Sequence, residues 1–358
     1  MFRYVALIWD DTGPTTSIRA RQLSRRLATI AGWSAALERP GLVVHTTGAQ
    51  PRANGVYSLR GDQGVVLGKL FRRGGVSAPV QSDITITSAE SEQILRTSGR
   101  ALVQDFWGRY VTFFQTADGA CCVIRDPSGT LPCFWIRHEG VTIVFSWLED
   151  ALALLSDVEA PRANWDAVAA FIKLGALGGR ETALEGVSQV LAGELIDLRQ
   201  ESSTLLWSAV DIAQSPTAHG AAEAESLLRE SVRACTRSWA SCYDTLLLRL
   251  SGGVDSSILL SCLAPGGTDA DVLCLNYYSA GSNSDEREYA RLAAGRVGRD
   301  LIERERNTGF RIERVSTAAR MPIPTDYIGW MNAATDARLA CWRRPKFDPL
   351  VRVVPIQI

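Results

Sequence analysis

The spacing of apolar positions changes part-way along this 358-residue chain. In roughly the first two hundred residues, short apolar runs are bounded by Gly, Pro, Asp or Ser. They are YVALIW (4–9), GLVVHTT (41–47), GVVLGKLF (64–71), DITIT (83–87), RYVTFF (109–114), ACCVIRD (120–126), CFWIR (133–137) and VTIVFS (141–146). Short, partly alternating runs so bounded predict strands. Between the first two lies 17–37, with Ile18, Leu23, Leu27 and Ile30 near one helical face and Pro14 and Thr15–Ser17 as a start signal. That spacing predicts a helix.

After GELIDL (193–198) and STLLW (203–207) the chain crosses DIAQSPTAHGAAEA (211–224), whose Pro, Ser and Gly mark a domain boundary. Beyond it the pattern predicts a helix over Ala221–Trp239, a strand over Thr245–Leu250 and a helix over Asp255–Leu263. A strand over Asp271–Tyr277 and a helix over Asp285–Val297 follow. Strands alternating with helices imply a parallel sheet with helices on its faces. The expected organisation is therefore two domains, 1–210 and 220–358, of α+β and α/β class.

Composition narrows the function classes. With 46% hydrophobic and 22% charged residues the chain can bury a sizeable core. A net charge of -1 leaves no electrostatic footprint for nucleic acid or an anionic membrane. The opening MFRYVALIWDD carries acids where a signal peptide would have small residues, and no run approaches the ~18 apolar residues of a membrane helix. A cytoplasmic protein is expected. Arg19, Arg21, Arg25 and Arg26 read as a solvated helix face. The eight cysteines (Cys121, Cys122, Cys133, Cys235, Cys242, Cys262, Cys274, Cys341) form no CxxC pair, and most sit in apolar runs, which suits reduced, buried thiols. His45, His138 and His219 lack HxxxH spacing, so no zinc site is expected.

The strongest chemical signal is LLLRLSGGVDSSILL (246–260). In an open parallel sheet, ligands bind beyond the carboxyl ends of the strands, where SGG falls. Gly252 and Gly253 allow close backbone approach to an anion, and successive amides beside a helix start form a positive nest. Ser251, Ser256 and Ser257 add hydroxyl donors. Asp255 would repel a bare phosphate, which points to Mg2+ bridging the two and makes Asp255 the candidate metal ligand. A plain turn with Asp255 as helix cap is the bland reading. The SGGxDSS pattern between an apolar strand and an apolar helix outweighs it. No GK[ST] follows the glycines, so this is not a Walker loop.

LSGGVDSS resembles the pyrophosphate-binding loop of the ATP pyrophosphatase superfamily. Its neighbourhood is similar to the asparagine synthetase family: RDPSGTLPCFW (Arg125–Trp135), IVFSWLEDALALL (143–155), ETALEGVSQVLAGELIDL (181–198) and SDEREYARLAA (284–294). Trp147 stands where that family carries an acid. The resemblance runs from about Asp105 to Ala293 and is loose before it. It implies an N-terminal amidotransferase-like αββα sandwich, then a parallel-sheet domain that binds ATP and Mg2+ and adenylates a carboxylate. By resemblance Ser251, Gly252, Gly253, Asp255 and Ser256 hold pyrophosphate and metal, while Leu250, Leu275 and Asn276 flank adenine.

Two departures shape the expected activity. The family's glutaminase nucleophile is a cysteine after the initiator methionine; here Phe2 occupies that place and has no nucleophilic atom. Glutamine hydrolysis is not expected, and the amine must come directly. That pattern resembles the beta-lactam synthetases and, in MFRYVALIWDD and VVLGKLF, more closely the lasso-peptide cyclases. Macrolactam formation on a precursor peptide is then implied, with a companion protease and a peptide-recognition protein as partners. An ammonia-using enzyme on a small carboxylate is the alternative. Second, the family's later glycine- and acid-rich loop finds no counterpart after Ile258, and the pattern dissolves in CWRRPKFDPLVRVVPIQI (341–358). A truncation after about Ala340 is expected, leaving the second domain incomplete and no catalytic residue to name. An inactive remnant that at most binds nucleotide or a peptide is the third reading.

Overall fold

The computed structural model describes residues 1–74, 83–155, 159–175, 178–215, 220–281, 285–306 and 322–323. The chain divides into two compact units, the first over 1–73, 83–217 and 319–324 and the second centred on 218–318.

The first unit opens with β1 (Arg3–Trp9), α1 (Pro14–Thr29), β2 (Trp33–Arg39), β3 (Leu42–Thr47), β4 (Gly55–Ser58) and β5 (Gly64–Arg72). Then come α2 (Ser88–Arg96), α3 (Arg100–Asp105), β6 (Phe106–Gln115), β7 (Cys121–Arg125), β8 (Phe134–His138) and β9 (Val141–Phe145). It closes with α4 (Leu148–Leu154), α5 (Trp165–Leu174), β10 (Val187–Gln189), β11 (Glu194–Asp197), β12 (Ser202–Leu205) and α6 (Ala209–Gln214). The strands form two six-stranded sheets, β10-β8-β9-β1-β3-β2 and β12-β11-β7-β6-β5-β4. All recorded pairings in both are antiparallel, with Leu7 facing Val43 on one side and Ile143 on the other.

Alternation along the strands supplies both faces of each sheet. From β1, Tyr4, Ala6 and Ile8 point between the sheets to meet Val65, Leu67, Val111, Phe113 and Val123. The rings of Tyr4 and Phe113 meet edge-on, 5.6 Å between centroids. The other β1 face, Val5, Leu7 and Trp9, packs on Ala20, Leu23 and Leu27 of α1 and Leu148, Ala151 and Leu154 of α4. On the second sheet Val66, Leu70, Tyr110, Phe114 and Ile124 pack on Ile94 of α2 and Ala101 and Leu102 of α3. The layers are therefore helix, sheet, sheet, helix. Pro322 and Ile323 belong to this unit too: Ala183 N–H donates to the Pro322 carbonyl at 2.8 Å, and Ile323 packs on the helix side of the first sheet.

Two local readings are corrected. The helix over 17–37 stops at Thr29, and Trp33–Arg39 is a strand paired with β3. Gly32 takes φ +86°, a left-handed turn that ends the helix phase. Ile18 and Ile30 are exposed, and the buried stripe is Ala20, Leu23 and Leu27. DITIT forms no strand. Thr87 caps α2 instead: its side chain accepts the Glu90 N–H, and the Glu90 carboxylate accepts the Thr87 N–H at 2.8 Å.

The second unit contains α7 (Ala221–Ala240), β13 (Thr245–Arg249), α8 (Val254–Cys262), β14 (Asp271–Tyr278), α9 (Arg287–Arg296) and β15 (Leu301–Glu305). Its strands are parallel in the order β13-β14-β15. Both faces are buried, as parallel strands require. Leu246, Leu248 and Leu250 pack with Leu259, Leu260 and Leu263 near α8 and Ala290 and Ala294 of α9; Leu247, Leu273 and Leu275 cluster on the opposite face. The expected break near Ala340, the tail 341–358 and the missing glycine–acid loop lie outside the described residues. No helix among the described residues is long and apolar enough to cross a membrane.

Candidate functional site

The β13 ladder continues one residue past the strand, with Leu250 N–H donating to Leu275 O at 2.8 Å. The chain then turns through Ser251, Gly252 and Gly253 into α8. Gly252 has φ +98°, and a Cβ there would lie 2.6 Å from the Glu286 carbonyl oxygen and 3.2 Å from Ala290 N. The turn is thus nested against the start of α9, a packing open only to glycine. Gly253 is the N-cap of α8 with φ −73°, and no side chain caps the helix. An uncapped helix start offers amide donors and the positive end of the dipole to an anion.

The three serines bond inside the loop. Ser251 Oγ lies 3.1 Å from Ser256 Oγ and accepts the Gly253 N–H at 3.2 Å. The Ser256 and Ser257 hydroxyls donate to the Gly253 carbonyl at 3.2 and 2.8 Å. Hydroxyls rotate, so these donors can turn to an incoming oxyanion. Asp255 is exposed in the first turn of α8. Leu250 and Leu275 are fully buried, on opposite faces of the sheet. Only their backbone atoms could face a ligand. Asn276 is buried, and its amide nitrogen donates to Leu250 O at 2.7 Å and Ser251 O at 3.3 Å.

The start of α9 carries residues that the loop motif did not mark. Asp285 accepts from Arg287 Nε and Nη2 at 2.9 and 2.7 Å, and those bonds hold its carboxyl below the usual range. The Arg287 guanidinium sits 3.7 Å over the Tyr278 ring at the end of β14. Arg291 bonds Glu303 of β15 twice, at 2.6 and 2.8 Å, and likewise lowers its pKa. The run Asp285–Glu286–Arg287 was the available signal, but only the fold sets Glu286 against Gly252.

In the first unit, Phe2 is buried in the core between the sheets. Arg125 Nε donates to Leu131 O at 3.0 Å and Nη1 to Val190 O at 2.7 Å. Asp126 accepts the Tyr110 and Ser128 amides at 3.1 and 2.8 Å. This arginine–aspartate pair pins the turn between β7 and β8. Burial pushes the Cys122 thiol up to about 12 and Cys133 to about 11, so neither is poised as a nucleophile.

Among the described residues, no group of three or more His, Cys, Asp or Glu could hold a metal ion. Asp255 alone suits an ion carried chiefly by phosphate oxygens, since magnesium takes one or two protein carboxylates in such sites.

Residues 223–315, a segment within the second unit, match the asparagine synthase family. No curated protein sequence matches the chain. Among solved structures it is similar to a glutamine-dependent NAD+ synthetase from Acinetobacter baumannii in complex with ADP, at 15% identity and a TM-score of 0.25. That match covers 66% of this chain, which spans 57% of the synthetase's length. An allosteric regulatory enzyme of purine biosynthesis aligns at 11% identity and a TM-score of 0.26, over 85% of this chain and 74% of that one.

Proposed function

We propose that the second unit binds ATP at the loop Leu250–Ser257 and that the protein forms an amide bond through an acyl-adenylate. The observation that carries this reading is the glycine turn at the carboxyl end of β13, opening an uncapped helix inside the segment that matches the asparagine synthase family. A substrate carboxylate oxygen attacks the α-phosphorus, and the bond from that phosphorus to the bridging oxygen breaks. Pyrophosphate leaves toward the Gly252 and Gly253 amides at the helix start, and the hydroxyls of Ser251, Ser256 and Ser257 rotate out of their bonds within the loop to meet the developing charge. Asp255 would hold magnesium, which supplies charge neutralisation on the phosphates. An amine then attacks the acyl carbon, AMP departs, and the amine proton is lost.

Burial of Phe2 in the sandwich core supports an amine supplied without glutamine hydrolysis. An amine carried by the same substrate, as in macrolactam closure of a precursor peptide, is the favoured source, because holding both groups on one enzyme raises their effective concentration. Ammonia is the alternative donor.

Calorimetric titration with Mg·ATP tests the site. Asp255→Asn removes a charge-assisted contact and should weaken binding by about 1.5–3 kcal/mol, roughly tenfold to a hundredfold. Equal affinities for the two proteins would make Asp255 a helix-end residue only. Pyrophosphate release in the presence of a peptide carboxylate tests the chemistry. Binding without release would leave a nucleotide-holding module.

A further inference from the structure

Asn276 is the last buried residue of β14, at its open end: Leu275 before it is fully buried, and Tyr277 and Tyr278 after it are half-exposed. An asparagine in an otherwise apolar strand, only 2% exposed, needs an account. Its Nδ2 faces two carbonyls, Leu250 O at 2.7 Å and Ser251 O at 3.3 Å. Carbonyls only accept, so the amide orientation is fixed by its partners. Its Oδ1 is buried with no hydrogen-bond partner among the described residues. An unsatisfied buried acceptor is costly, and an aliphatic side chain would avoid that cost. The donors of this amide therefore do something at the loop that an aliphatic residue could not.

A trans peptide sets its C=O and N–H on opposite sides. When the Leu250 and Ser251 carbonyls turn in toward Asn276, the amides that share those peptide planes turn away from it: Ser251 N–H, which donates to Ser256 Oγ at 3.3 Å, and Gly252 N–H. Gly252 at φ +98° follows at once, nested on Glu286, so the loop is held from two sides. We propose that Asn276 is a positioning residue for the anion-binding loop, its side-chain amide orienting the Leu250–Gly252 peptides so that Gly252 N–H faces the departing pyrophosphate and Ser251 N–H holds the Ser256 hydroxyl in the loop. This rests on the nucleotide reading above and assigns Asn276 a role distinct from lining adenine.

The test uses the full chain and two separate probes, magnesium pyrophosphate and adenosine, titrated by calorimetry. Asn276→Leu keeps the branched shape, with the same number of side-chain heavy atoms, and removes both donors. Misaligned donors of this kind cost up to about a hundredfold, and we expect at least a tenfold loss of pyrophosphate affinity with adenosine affinity within twofold of the parent. Asn276→Thr retains one donor in a residue suited to strands, and should fall between the two. Circular dichroism melts establish that each variant is folded; where Asn276→Leu is not, the threonine variant decides. Unchanged pyrophosphate affinity, or equal loss for both probes, overturns the positioning role while leaving the nucleotide site standing. A parent protein that binds neither probe overturns the nucleotide reading and this inference with it.

Discussion

The two units use buried polar groups for different ends. In the sandwich, Arg125 and Asp126 spend their hydrogen bonds on the turn that follows β7, and both sheets have helices on their outer faces. In the parallel unit, buried Asn276 directs its bonds at the carbonyls of Leu250 and Ser251, and the less buried serines bond within the same turn. Side-chain hydrogen bonds thus pin a strand-to-strand turn in one unit and a strand-to-helix turn in the other. A buried polar residue is a guide to function only once its partners are known.

The largest expected effect lies in the sandwich. Phe113 fills the space between the sheets against Tyr4. Phe113→Ala should lower unfolding stability by about 3–5 kcal/mol, read by denaturant titration with tryptophan fluorescence. A loss below about 1 kcal/mol would mean that the sheets do not share a packed interior. In the loop, Gly252→Ala combines a left-handed backbone with a Cβ 2.6 Å from a carbonyl oxygen, so Mg·ATP affinity should drop at least about tenfold. Gly253→Ala should lose less, because Gly253 has φ −73° and its nearest neighbour would be Ser251 Oγ at 3.4 Å. The reverse order would show that the nest on Glu286 does not govern the loop. The smallest effect concerns thiols. Cys133, raised to about 11 by burial, carries about a hundredfold less thiolate at pH 8 than an ordinary thiol near 9. Cys235 on α7 is exposed. Alkylation followed by mass spectrometry should modify Cys235 before Cys133, and reach Cys133 only after unfolding or as pH climbs toward 11. Early loss of the Cys133 thiol at pH 8 would mean that the sandwich interior opens readily.

What could be read from residues alone followed the range of the interaction. The turn between β13 and α8 was legible because Ser251, Gly252 and Gly253 stand between an apolar strand and an apolar helix, a local pattern. The strands β1, β3, β5, β6, β7, β8 and β9 were legible because their apolar runs carry the sheet signal themselves. Trp33–Arg39 was not, since its alanines fit a helix and the deciding facts were Gly32 and pairing with β3. DITIT alternates like a strand, yet the Thr87–Glu90 capping box claims its end for α2. β15 escaped because LIERE is largely polar, and its place is fixed by β14 alongside it. Asn276 was picked out at the site, but its two carbonyl partners lie 25 and 26 residues earlier, beyond any local pattern.

Pro322 and Ile323 return to the first unit after the chain has passed through the second. During synthesis the helix side of the first sheet therefore lacks one of its apolar contacts until more than a hundred further residues have been made, those from α7 onward. A ribosome releasing this chain delivers the sandwich nearly whole, and this piece of its helix-side packing arrives only after the loop Leu250–Ser257 has already emerged.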